Sequence, residues 1–133
     1  MSEFNAQIMI KNYQCSEDGD EVFDVSEPCK FLFKRNTAYI LYKSDGVTSK
    51  IKTEGKTVTV TRMGEFSSEM VYREGETTSF LYKMPYGSLD MSLKTKKADV
   101  KISDNGGEIF LEYSLLFSGT ETKNSMKIEI KLN

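Results

Sequence analysis

Histidine and tryptophan are both absent from this 133-residue chain. Without histidine the chain lacks the commonest general base, the commonest metal ligand and the side chain that titrates near neutral pH. A Ser-His-Asp triad, a Cys-His dyad and histidine-based zinc, haem or di-iron centres are excluded. Carboxylate, lysine, tyrosine or bare thiol chemistry remains, or none at all. Cysteine is scarce too: Cys15 and Cys29 are too few for a disulfide framework. A nucleophilic thiol needs neighbouring positive charge. Cys15 sits among acids, and on a strand Cys29 and Lys30 face opposite ways. No run approaches 18 apolar residues, and Met1–Asn5 has no basic stretch leading into an apolar one. The expectation is a leaderless, cytoplasmic chain with no membrane span. Only three residues are alanine. Helix-favouring composition is therefore weak.

What is abundant is strand material. Val, Ile, Thr, Tyr and Phe together make up 41 residues. Period-2 alternation recurs along the chain. Ala6, Ile8 and Ile10 share a face, as do Phe31 and Phe33, then Ala38, Ile40 and Tyr42. Val58 and Val60 follow, then Phe80, Tyr82 and Met84, then Leu89, Met91 and Leu93. Ala98, Val100 and Ile102 form another set after a basic turn expected at Thr95–Lys97. Asp104-Asn105-Gly106-Gly107 is the strongest hairpin signal, since Asn-Gly accepts the positive φ of a primed turn. Ile109, Leu111, Tyr113, Leu115 and Phe117 come next, and Met126, Ile128, Ile130 and Leu132 close the chain. About ten candidate strands with short connections predict one all-β domain over residues 1–133. The expected form is a single antiparallel up-and-down barrel of about eight principal strands.

Net charge is −2 but unevenly spread. Residues 1–29 carry seven acids and Lys11, and the remainder carries thirteen acids and seventeen bases. Glu17, Asp18, Asp20, Glu21, Asp24 and Glu27 read as a solvated loop. Placing Gly19 sixth in a calcium loop puts Gln14 first and Val25 twelfth, where the motif needs a glutamate, so no metal is expected. Lys94, Lys96, Lys97 and Lys101 are too local for a nucleic-acid footprint, and no nucleic-acid or membrane partner is expected.

Arginine is rare beside fifteen lysines. Arg62 continues the face of Val58 and Val60, and Arg73 that of Val71. If those faces line the barrel, both guanidinium groups point inward near a rim and can hold a carboxylate or phosphate. Tyr82, Tyr86 and Tyr113 would add polar points to an otherwise apolar pocket. Each also has a structural reading: the arginines solvated past the last buried position, the tyrosines satisfied in a core.

From Val58 onward a pattern emerges: Val58-x-Val60-x-x-Met63-Gly64, Met70-Val71-Tyr72 with Gly75, and Tyr82-x-x-Pro85-Tyr86-Gly87. Thr95 follows, then Gly106-Gly107-x-Ile109-x-Leu111-x-Tyr113-x-Leu115. This resembles the YwiB-like family of small bacterial proteins. The resemblance implies a calycin-like (lipocalin-type) β-barrel and no established biochemical activity, so it transfers no catalytic residue and no cofactor. Fatty-acid-binding relatives of that fold usually carry two helices after the first strand, and lipocalins a Gly-x-Trp start. This chain shows neither pattern.

The function expected from these readings is a non-enzymatic barrel that binds a small apolar or amphipathic ligand. The alternative is an interaction or structural module with a filled interior, working through its surface as a homodimer. An enzyme would need two acids, or an acid and a lysine, converging in a cleft, and the spacing shows no such pair.

Overall fold

The computed structural model describes residues 4–133; Met1–Glu3, part of the N-terminal stretch read above, lie outside it. Ten strands form one sheet: β1 (Ala6–Ser16), β2 (Gly19–Lys34), β3 (Thr37–Ser44), β4 (Val47–Glu54) and β5 (Thr57–Met63) come first. β6 (Ser68–Tyr72), β7 (Thr77–Met84), β8 (Gly87–Ser103), β9 (Gly106–Phe117) and β10 (Thr120–Leu132) follow. The order across the sheet is β6-β5-β4-β3-β2-β1-β10-β9-β8-β7, with antiparallel neighbours. Chain-adjacent strands thus pair everywhere except at β6 and β7, and β1 pairs with β10 to join the two halves.

The sheet curls until β6 and β7 meet, giving an antiparallel barrel that is nearly closed. Ser67 and Lys83 exchange both backbone bonds, at 3.0 and 2.8 Å. Further along, the Thr78 hydroxyl donates to the Val71 carbonyl at 2.9 Å. The two rungs that this register would place between, Glu69 to Leu81 and Val71 to Ser79, are not made. Each edge therefore keeps unpaired backbone along this seam.

The count is ten strands, not about eight. Every alternating segment pairs in the sheet, and the acidic segment lengthens β2. Asp20 to Pro28 is not a loop: β2 pairs with β1 from Gly19 to Cys29, so the acids decorate a hairpin arm. Pairing of β2 with β3 begins only at Cys29. Pro28 therefore lies on a stretch of β2 with one neighbour, where a strand tolerates proline.

The basic turn expected at Thr95–Lys97 is also absent. β8 runs straight through it with a bulge between Thr95 and Lys97. Inward residues are odd-numbered before the bulge (Leu93, Thr95) and even-numbered after it (Ala98, Val100). One extra residue is what that change of parity requires. At the Asp104–Asn105 turn the positive φ falls on Gly106 (90°) and Gly107 (143°), not on Asn105. The primed-turn signature belongs instead to Arg35 and Asn36, with φ of 53° and 60°, between β2 and β3.

The interior is packed by the alternating sets. Ile8, Ile40, Ile51, Val58, Tyr72, Leu93, Ile109, Leu111 and Ile128 are fully buried. No helix among the described residues is long and apolar enough to cross a membrane.

Candidate functional site

Arg62 lies on the inner row that crosses four strands. Its register partners are Ser49 on β4 and Ser68 on β6, both buried, and Ser49 pairs in turn with buried Tyr42 on β3. Val58 and Val60 ahead of it on β5 are buried, so alternation carries the arginine inward as well. The side chain is half-buried and lines a cleft of about 640 Å³ at the open seam. Ser68 and Phe80 share that cleft from the inner face; Glu69, Leu81 and Asp90 border it. Among the described residues no carboxylate lies within ion-pair distance of Arg62.

Two tyrosines stand near the guanidinium. Tyr72 and Tyr113 meet edge to face, with ring centroids 5.0 Å apart and planes at 76°. Burial holds both phenols above their ordinary range, and the Arg62 charge opposes that on each. The positive charge therefore reaches the hydroxyl end of the aromatic pair. A half-buried guanidinium without a carboxylate, beside a cleft that Ser68, Phe80 and Leu81 also line, is equipped to hold an anionic group at the edge of an apolar body.

Of the other residues singled out from sequence, Tyr113 is buried and joins this cluster. Tyr82 is half-buried against the core, with Phe66 stacked on it at 6.0 Å. Arg73 and Tyr86 do not line this cleft. Arg73 falls just beyond the end of β6 and is exposed, because the inward face of that strand is that of Ser68, Met70 and Tyr72, and Val71 and Arg73 share the outward one. Tyr86 is 83% exposed, since it occupies the tip of the β7–β8 turn where no facing strand covers it.

The sequence reading missed Ser49, Ser68 and Tyr72 as neighbours of Arg62. Counting outward from the Gly55 hairpin would have paired Ser49 with Arg62. It also missed the inward polar residues Asn12, Thr95 and Asn124, each one step beyond an apolar alternating run. Cys29 is buried, and burial pushes its thiol up to about 11. Cys15 is exposed, and its hydrogen bond with Asp20 also raises it. Neither sulfur is an activated nucleophile. No cluster of three potential metal-binding side chains exists among the described residues.

Comparison with known proteins fits this architecture. The chain is 28% identical over 105 residues to the "Uncharacterized beta-barrel protein YwiB" of Bacillus subtilis (strain 168), covering 74% of this chain and 73% of that one. The crystal structure of the ywiB protein from Bacillus subtilis superimposes with a TM-score of 0.88 at 21% identity, over 98% of this chain and 92% of the other. That likeness establishes the barrel fold. A family model, described as a domain of unknown function (DUF1934), matches residues 8–130, so the chain belongs to that family.

Proposed function

We propose that this chain is a non-enzymatic binding barrel that takes a small, partly apolar ligand through an anionic group held by Arg62. The carrying observation is Arg62 itself: half-buried, without a carboxylate partner among the described residues, at a cleft of about 640 Å³. The lipocalin-type comparison belongs to this reading, because small barrels of that kind hold single ligands. A cytoplasmic setting belongs to it as well, supported by the exposed free thiol of Cys15. The arm's acidic surface supports leaving nucleic acid and anionic membrane out of the partner list.

Two dyes test the role of Arg62. 1-Anilinonaphthalene-8-sulfonate carries an anion on an aromatic body, and N-phenyl-1-naphthylamine lacks the anion. Arg62→Met keeps the apolar stem and removes the charge. The expected result is a loss of sulfonate-dye affinity of about tenfold or more, with the neutral dye little changed. Equal sulfonate-dye affinity in wild type and variant, or no binding of either dye, would overturn the reading.

A second reading, a homodimer formed through the β1–β2 arm, is favoured by one feature. Tyr13 and Val22, register partners on one face of that arm, are both exposed on a stretch of β2 with a free edge, and Phe23 is exposed on the opposite face. Such a patch marks an interaction surface. The expected signature is a concentration-dependent sedimentation coefficient that Val22→Ser abolishes. A monomer at every concentration counts against it.

A further inference from the structure

Toward the tip of the arm, β2 has a neighbour on one side only. It pairs with β1 from Gly19 to Cys29, and with β3 only from Cys29 onward. Asn5, which extends the line of β1, shows which way the backbone groups of β2 point. Its N–H donates to the Cys29 carbonyl at 3.2 Å. Its side chain accepts from the Phe31 N–H and donates to the Phe31 carbonyl, each at 2.8 Å. Successive residues of an antiparallel strand direct their backbone groups to opposite sides. Odd-numbered residues of β2 therefore face β1, and Asp20, Val22, Asp24 and Ser26 face the open side. Pro28, which has no N–H to leave unpaired, falls in the same set.

Other open stretches of this sheet are capped by side chains. Asn5 does so for Phe31, and the Glu74 carboxylate accepts the Ala98 N–H of β8 at 3.0 Å. The edge of the arm has no such cover: among the described residues nothing bonds to the outward backbone groups of Asp20, Val22, Asp24 or Ser26. No bulge interrupts the ladder with β1, and Gly19 to Asp24 are all exposed. A regular, uncovered edge is a template for one more strand, with main-chain bonds giving affinity and alternate side chains giving specificity.

We propose that this edge of β2 takes up an extended, basic segment of a partner protein as a further strand. This inference does not rest on the role of Arg62. Charge selects the occupant. Between Ser16 and Cys29 stand six acids and no base. A second copy laid antiparallel on the same edge would set acid against acid. A two-fold axis at Asp24 opposes Asp24 to itself and Glu21 to Glu27, and an axis between Phe23 and Asp24 opposes Asp20 to Glu27. Like charges directly opposite destabilise a strand pair. The homodimer considered above would have to use the Tyr13 and Val22 face instead. A lysine-bearing strand meets the same acids with opposite charge. Val22 on one face and Phe23 on the other are both exposed, and each offers the added strand an apolar contact. Read antiparallel from Glu27 to Asp20, the fitting segment is basic, any, any, basic, apolar, apolar, basic, basic.

The test uses the full chain and a fluorescein-labelled peptide amide, Lys-Ser-Thr-Lys-Ile-Val-Lys-Lys, read by fluorescence anisotropy. Saturable binding is expected. N-methylation of the peptide's valine, whose N–H faces the edge opposite Val22, is expected to weaken binding about tenfold or more. N-methylation of its isoleucine, whose N–H faces away, is expected to leave binding nearly unchanged. On the protein, Ser26→Pro removes one edge N–H and keeps every acid, at a position where a strand tolerates proline. It too is expected to weaken binding about tenfold, with Tm little changed. Asp20→Asn combined with Asp24→Asn keeps the backbone intact and is expected to weaken binding several-fold, so the test stands even if Ser26→Pro fails to fold. The proposal is overturned if the peptide does not bind, or if the valine-methylated peptide binds as tightly as the parent, which would leave charge attraction alone. It is overturned equally if a peptide with glutamate in place of each lysine binds as well. Self-association that Ser26→Pro abolishes would assign the edge to a second copy and overturn it too.

Discussion

Gly107→Ala is expected to destabilise the chain by about 3–5 kcal/mol or to prevent folding, whereas Gly46→Ala is expected to cost about 1 kcal/mol. Both glycines have positive φ, 143° and 78°, so backbone preference alone does not separate them. The surroundings do. A Cβ on Gly46 would meet nothing within 4 Å. A Cβ on Gly107 would sit 2.0 Å from the Lys101 carbonyl oxygen and 3.0 Å from Ile102 Cα. Those are backbone atoms of the neighbouring strand, which cannot swing aside as a long side chain can. Gly107 pairs with Ile102 on β8 and Ile130 on β10, so any shift must propagate to both sides. Its neighbour Gly106 is nearly as constrained, with a Cβ 2.5 Å from the Ile130 carbonyl oxygen. The Gly-Gly pair thus lets three backbones approach closely just after the turn. Guanidinium unfolding monitored by circular dichroism measures both variants. Similar midpoints for the two would show that the close approach carries no weight.

That glycine pair also shows what the sequence could and could not convey. The hairpin was legible from Asp-Asn-Gly-Gly, but the location of the left-handed residue was not. Composition favours Asn105, while the positive φ is taken by Gly106, the first residue of β9. The alternating runs carried the fold well, because a half-buried strand must repeat every two residues. They broke down where polar residues occupy inward positions. Thr95 and Asn124 read as ends of strands, although both sit inside. In β8 the parity change between Leu93 and Ala98 was visible, yet a lysine-rich stretch resembles a turn more than a bulge. The acidic arm hid for a related reason: with both faces largely solvated, it lacks an apolar stripe. Arg62 was legible because its strand continues past Val60, and Arg73 misled because the face of Val71 is the outward one on β6, where Met70 and Tyr72 fill the interior. Strand ends are set by pairing with neighbours, which no local pattern encodes.

Tyr72 offers the second large effect, and a contrast within one residue. It is among the largest fully buried side chains, packed edge-on against Tyr113. Tyr72→Ala removes the ring from the barrel's interior and is expected to cost about 3–5 kcal/mol, the range for deleting a buried aromatic ring. Tyr72→Phe keeps the ring, and its cost is expected to stay near or below about 1 kcal/mol. The reason is that the hydroxyl meets Met70 Sδ at 3.9 Å, a weak acceptor, and shares one neutral hydrogen bond with the Tyr113 phenol, so its loss removes about one ordinary hydrogen bond. The two variants should also part at high pH. Burial, followed by the neighbouring Tyr113, holds the Tyr72 phenol well above its ordinary value near 10. Below about pH 10 the phenol is protonated both folded and unfolded, and its environment costs no pH-dependent stability. Above that, the unfolded chain releases the proton while the folded chain keeps it, so stability falls as pH rises. Tyr72→Phe removes this contribution, leaving that of Tyr113, which burial also raises. Its thermal midpoint should therefore decline less steeply between about pH 10 and 12 than that of wild type. Parallel declines, or a Phe variant as unstable as the Ala variant at neutral pH, would mean that the hydroxyl rather than the ring holds this part of the barrel together.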